Sequence, residues 1–73
     1  MKTTITWTAK NNSSFINGVR EAKTLRAAVI AARLYLRNEL HGEGVITYFE
    51  DGQPVRQDEK SIHTGNRMET RAV

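Results

Sequence analysis

The chain has 73 residues and a formal charge of +3; 38% of it is hydrophobic, 26% is charged, and cysteine is absent. This describes one small water-soluble domain, and it excludes disulfides, thiol chemistry and cysteine-ligated zinc. The longest apolar run, residues 27–32, falls far short of the roughly 20 apolar residues that span a bilayer. No apolar leader segment stands in residues 1–9, so a cytoplasmic location is expected, with no membrane partner.

Residues 3–9 alternate Ile5 and Trp7 with Thr4, Thr6 and Thr8, which predicts a half-buried strand. Lys10-Asn11-Asn12-Ser13 supplies turn chemistry. Residues 14–21, carrying Phe15, Ile16 and Val19, read as the returning strand. Asn17-Gly18 is itself a two-residue hairpin signal, so it marks either a bulge or a different turn position.

Residues 22–40 predict a helix. Leu25, Ala28, Val29, Ala32, Leu36 and Leu40 recur at helical spacing, Thr24 suits the N-cap and Gly42 the stop. Residues 44–50 alternate Val45, Thr47 and Phe49 against Ile46, Tyr48 and Glu50. They predict a further strand, with either set able to face the core. Asp51-Gly52-Gln53-Pro54 reads as a turn. Residues 55–62 read as a polar returning strand at a sheet edge, where charge discourages further pairing. Residues 63–73 are polar and predict a mobile tail.

The order of hairpin, helix and hairpin (ββαββ) predicts an α+β fold. A four-stranded antiparallel sheet would carry one helix on one face, with residues 1–62 as the domain. Advancing about 100° per residue from Leu25 places Leu36, Val29, Ala32 and Leu40 in one stripe, which is the expected core face. Arg33, Arg26 and Arg37 follow as a basic ridge on the flank. Ile30, Leu34, Ala27 and Ala31 then point away from the core, where a two-layer domain should be wet. An exposed apolar patch bordered by charge marks an interaction site.

Charge is unevenly distributed. Residues 1–40 hold seven basic and two acidic side chains, or +5; residues 41–73 hold four and six, or −2. One surface therefore attracts anions more than the rest.

Catalytic and cofactor patterns are missing. His41 and His63 stand in separate segments without a second ligand at metal spacing, and a helix C-terminus accounts for His41. Glu50, Asp51, Asp58 and Glu59 could meet across the last hairpin and suggest calcium or acid–base work, but no loop carries ligand spacing. Gly42-Glu43-Gly44 lacks the Lys-Ser/Thr of a phosphate loop. The chain is not expected to be an enzyme, and no cofactor or metal is expected.

The stretch Val19-Arg20-Glu21-Ala22-Lys23-Thr24-Leu25-Arg26-Ala27-Ala28 passes from strand into an Ala-rich helix between two hairpins. With the small size and lack of cysteine, it resembles small accessory proteins encoded by bacteriophages and prophages. In layout the chain is similar to some type I anti-CRISPR proteins. The resemblance covers residues 3–62 and implies binding to, and inhibition of, a host complex; no functional residue carries over from it.

The expected function is that of a non-enzymatic, phage-derived binding protein. It would dock on a host protein or protein complex through Lys23, Arg26, Ala27, Ile30, Ala31, Arg33, Leu34 and Arg37. The alternative is nucleic-acid binding through the same arginines, with Lys23 and Arg20 beside them. Trp7 and Tyr48 could stack bases from the sheet, although core packing suits Trp7 better. A second copy of the chain is a further candidate partner, pairing helix to helix.

Overall fold

The computed structural model describes residues 3–73; Lys2, counted in the N-terminal charge, lies outside them. The elements run β1 (Ile5–Lys10), β2 (Arg20–Ala22), α1 (Leu25–Glu39), β3 (Gly44–Glu50), β4 (Gln53–Lys60), a single 3₁₀ turn (Ile62–Thr64) and β5 (Glu69–Ala72). The class is α+β, with one helix on an antiparallel sheet. The sheet has five strands in the order β2-β1-β3-β4-β5, not the expected four.

The fifth strand corrects two expectations. The segment expected as a mobile tail is ordered. Ser61 and Thr64 form a reciprocal capping box around the 3₁₀ turn, and the Thr64 hydroxyl also donates to the Arg67 carbonyl at 2.7 Å. β5 then pairs with β4 along Arg56↔Ala72 to Glu59↔Glu69. β4 is therefore an interior strand rather than the edge, and it begins at Gln53, earlier than expected. Asp51 and Gly52 alone make the turn, both with positive φ (51° and 83°). That is the hand of two-residue turn that matches strand twist.

The second strand is much shorter than the expected residues 14–21. Lys10 bridges Phe15, and the ladder resumes only at Trp7↔Arg20. Residues 8–9 on β1 thus oppose residues 16–19 on the return, so the Asn17-Gly18 signal marks a bulge-like excursion. Ala22, expected in the helix, ends β2.

The helix begins where Thr24 caps it, its hydroxyl accepting the Ala27 N–H at 3.0 Å. Beyond Glu39 the chain turns away, with the Gly42 N–H held by the Leu36 carbonyl at 2.9 Å. Ala28, Ala32, Leu36 and Leu40 are buried against Ile5, Trp7, Ala9, Ile46 and Tyr48. The choice left open in β3 falls to the Ile46 and Tyr48 set. The small side chains of Ala28 and Ala32 suit a helix lying over a sheet that presents Trp7 and Tyr48. Gly44 is required where β3 enters: a Cβ there would stand 2.6 Å from the Lys10 carbonyl oxygen. Among the described residues the other sheet face has no helix over it, and its Thr6, Thr8, Val45, Thr47 and Phe49 are half-buried among their neighbours, as an antiparallel sheet permits.

Candidate docking surface

Burial of Ala28, Ala32 and Leu36 fixes the rotation of α1, and with it the face turned to solvent. Ile30 and Leu34 lie on that face one turn apart and are 62% and 57% exposed. Ala27 and Ala31 beside them are exposed, as are Lys23, Arg26, Arg33 and Arg37 on the flank. All eight residues expected to form the docking surface are therefore on the outside of the molecule. Leu25 and Val29, expected in the core stripe, are half-buried at its border.

Three of the expected nucleic-acid contacts are committed elsewhere. Trp7 and Tyr48 are buried beneath the helix, so neither presents a ring face to a base. The Arg20 guanidinium lies 4.9 Å from the Tyr35 ring centroid and 5.8 Å from that of Trp7. Those two rings meet edge to face at 5.9 Å. Arg20 thus closes the β2 side of the core by cation–π contact rather than standing free.

The helix covers β2, β1 and β3, whereas the sheet surface beyond it, on β4 and β5, is polar. Asp58 sits there with no exposed surface. Its Oδ2 accepts from the Tyr48 hydroxyl at 3.0 Å and Arg56 Nη2 at 3.3 Å. Its Oδ1 accepts from Arg56 Nε at 3.0 Å and the Thr70 hydroxyl at 2.8 Å. The Arg33 guanidinium approaches to 4.0 Å. A buried carboxylate is tolerated only when paired and hydrogen-bonded in this way. Burial, then the Asp58 charge and the hydrogen bond to it, raise the Tyr48 hydroxyl far above the usual tyrosine range. Tyr48 therefore remains a protonated donor.

This arrangement divides the acidic set that the sequence grouped together. Asp58 belongs to the helix side and Glu59, its neighbour in the strand, to the opposite face. Sequence reasoning missed the Asp58 network. Its one local signal was Arg56-x-Asp58, since strand alternation puts residues two apart on one face.

Arg33, Arg37 and Lys60 line a depression of about 250 Å³ between α1 and β4, with Leu36, Gly42 and Met68 completing its walls. Arg33 shares with Arg56 in answering the Asp58 charge, while Arg37 and Lys60 form no ion pair among the described residues.

The chain matches no protein-family model, no curated protein and no solved structure.

Proposed function

We propose that the protein is a non-enzymatic binding module that docks on a protein partner through the outward face of α1. The observation that carries this reading is the joint exposure of Ile30 and Leu34 on a helix whose opposite face already fills the core. Burying two such side chains against a partner contributes about 1.5–3 kcal/mol each. The arginines and Lys23 alongside select a partner whose apolar strip is bordered by acidic residues. The layout resemblance points to a phage-derived protein, with a host complex as that partner and inhibition as the outcome. A binding role also fits the state of Asp58, whose oxygens are occupied by four internal donors and are not held open to a substrate.

A second reading rests on the depression lined by Arg33, Arg37 and Lys60. Three cations around one concave surface suit the phosphates of a nucleic acid. Capture of host proteins on the immobilised protein, from nuclease-treated lysate, separates the two. The protein-docking reading expects a defined partner to be retained by the wild type and lost with Ile30→Asp/Leu34→Asp. Capture that vanishes with nuclease, or that ignores the double substitution, contradicts it.

A further inference from the structure

We propose that β5 is a self-pairing edge: two copies of the chain join antiparallel, β5 to β5, and Glu69 of each pairs with the partner's Arg71. This inference is independent of the helix-face reading, because the two surfaces share no residue.

The geometry of β5 leaves its outer side open. All four residues of the strand are exposed, and among the described residues its ladder partner is β4 alone. Val73 continues that ladder, donating its N–H to the Val55 carbonyl at 3.4 Å. In an antiparallel pair the backbone groups of alternate residues face the same neighbour. Val73, Arg71 and Glu69 therefore turn theirs toward β4, and Thr70 and Ala72 turn theirs to the open edge. The opposite edge of the sheet, β2, has only three residues and offers a shorter template.

Edge strands usually carry charge to prevent this kind of pairing. Here the charges are self-complementary. With Thr70 opposite Thr70 across a two-fold axis, the outward N–H and C=O groups of Thr70 bond reciprocally, and Glu69 falls opposite the partner's Arg71 on both sides of the axis. Sliding the pair by one ladder step sets Glu69 against Glu69 or Arg71 against Arg71, which costs stability. The side-chain chemistry thus selects a single register.

Within one copy, Glu69 has an unmet need. Its cross-strand neighbour is Glu59, a like charge directly opposite. Arg71 is drawn to Glu59 at 3.1 Å and to the Gln57 side-chain oxygen at 3.1 Å, and Glu69 forms no ion pair among the described residues. Arg71 spends Nε and Nη2 on those bonds and keeps the two Nη1 hydrogens for a further acceptor. A second copy brings that guanidinium to Glu69.

Sedimentation velocity over a concentration series tests the proposal. The wild type should form a dimer that weakens as salt rises. Glu69→Arg should remain monomeric over the same range, as should Arg71→Glu, while the double exchange Glu69→Arg/Arg71→Glu should restore the dimer. Ala72→Pro removes an outward N–H without touching the β4 ladder. It should abolish the dimer and leave the melting temperature unchanged at dilutions where the wild type is monomeric. A wild type that stays monomeric throughout, or a dimer that survives both Glu69→Arg and Ala72→Pro, overturns the proposal. So does a dimer lost in Leu34→Asp, which would place the contact on the helix.

Discussion

The Tyr48 hydroxyl donates to Asp58 Oδ2 across 3.0 Å, and both side chains are fully shielded from solvent. The two strands that carry them, β3 and β4, are thereby joined by a side-chain bond as well as by their ladder. Asp58 has three further donors in Arg56 and Thr70, so the pair is the centre of the polar half of the sheet.

Removing the tyrosine hydroxyl should cost little, and removing the carboxylate much. Tyr48→Phe deletes one of four bonds to Asp58, about 0.5–1.5 kcal/mol. Asp58→Ala strands the Tyr48 hydroxyl and leaves Arg56 without its counter-charge, about 3–5 kcal/mol. Urea titration of the two variants should give that order; equal losses would contradict it.

The same pair sets an alkaline limit. Tyr48 holds its proton more tightly in the folded state, because of burial and the Asp58 charge. The unfolded chain therefore releases this proton first, starting near the ordinary tyrosine value of about 10. Where the folded state binds more protons, stability falls as pH rises. Stability contributed by Tyr48 should be complete below that value and decline above it. Thermal melts of the wild type and Tyr48→Phe should converge as pH rises through this range. A constant gap between them would contradict the assignment.

Gly44 should not accept a side chain. The added Cβ of Gly44→Ala would meet the Lys10 carbonyl at 2.6 Å and the Leu36 and Leu40 methyls at 3.1 Å. Overpacking of this kind costs about 1–3 kcal/mol, visible as a lowered melting temperature. An unchanged melt would mean that β3 enters the sheet differently.

The arginine ridge should be dispensable for folding. Arg33 is half-exposed even where it nears Asp58, and Arg37 is exposed. Arg33→Gln/Arg37→Glu, which sets no negative charge beside Asp58, should change stability by about 0.5 kcal/mol or less per site, measured by urea titration. The same variant should weaken partner capture, most strongly at low salt where charge steering is unscreened. Undiminished capture would move the docking surface off this flank.

The parts of this molecule that could be read from sequence are those with a period. The 3.6-residue rhythm separated Leu36 from Leu34, and Thr24 announced the helix start that its hydroxyl makes at Ala27. Alternation marked β3 at its observed bounds, Gly44 to Glu50, but not which side was inward. That depends on Trp7 lying beside Tyr48 in the ladder, a relation between strands that no local pattern carries. β5 was illegible because its alternation is polar on both faces. Thr70 answers Asp58, and Arg71 answers Gln57 and Glu59, so the strand forms with no apolar side chain larger than that of Ala72 to signal it. The Asp58 site was hidden for the same reason, since two of its partners stand 10 and 12 residues away.

In the proposed docking role, α1 serves the core with one side and a protein partner with the other. Leu34→Asp tests it most directly, with Leu36→Ala as its counterpart two residues along. Leu36 is 3% exposed and Leu34 57%. Leu36→Ala should cost about 2–5 kcal/mol, much of the stability of a domain this small, and leave the protein largely unfolded. Leu34→Asp should melt as the wild type does and yet fail to retain the protein partner, because docking would bury a charge without a mate. If Leu34→Asp unfolds the monomer, or remains folded and binds the partner undiminished, the outward face of α1 is not the docking surface.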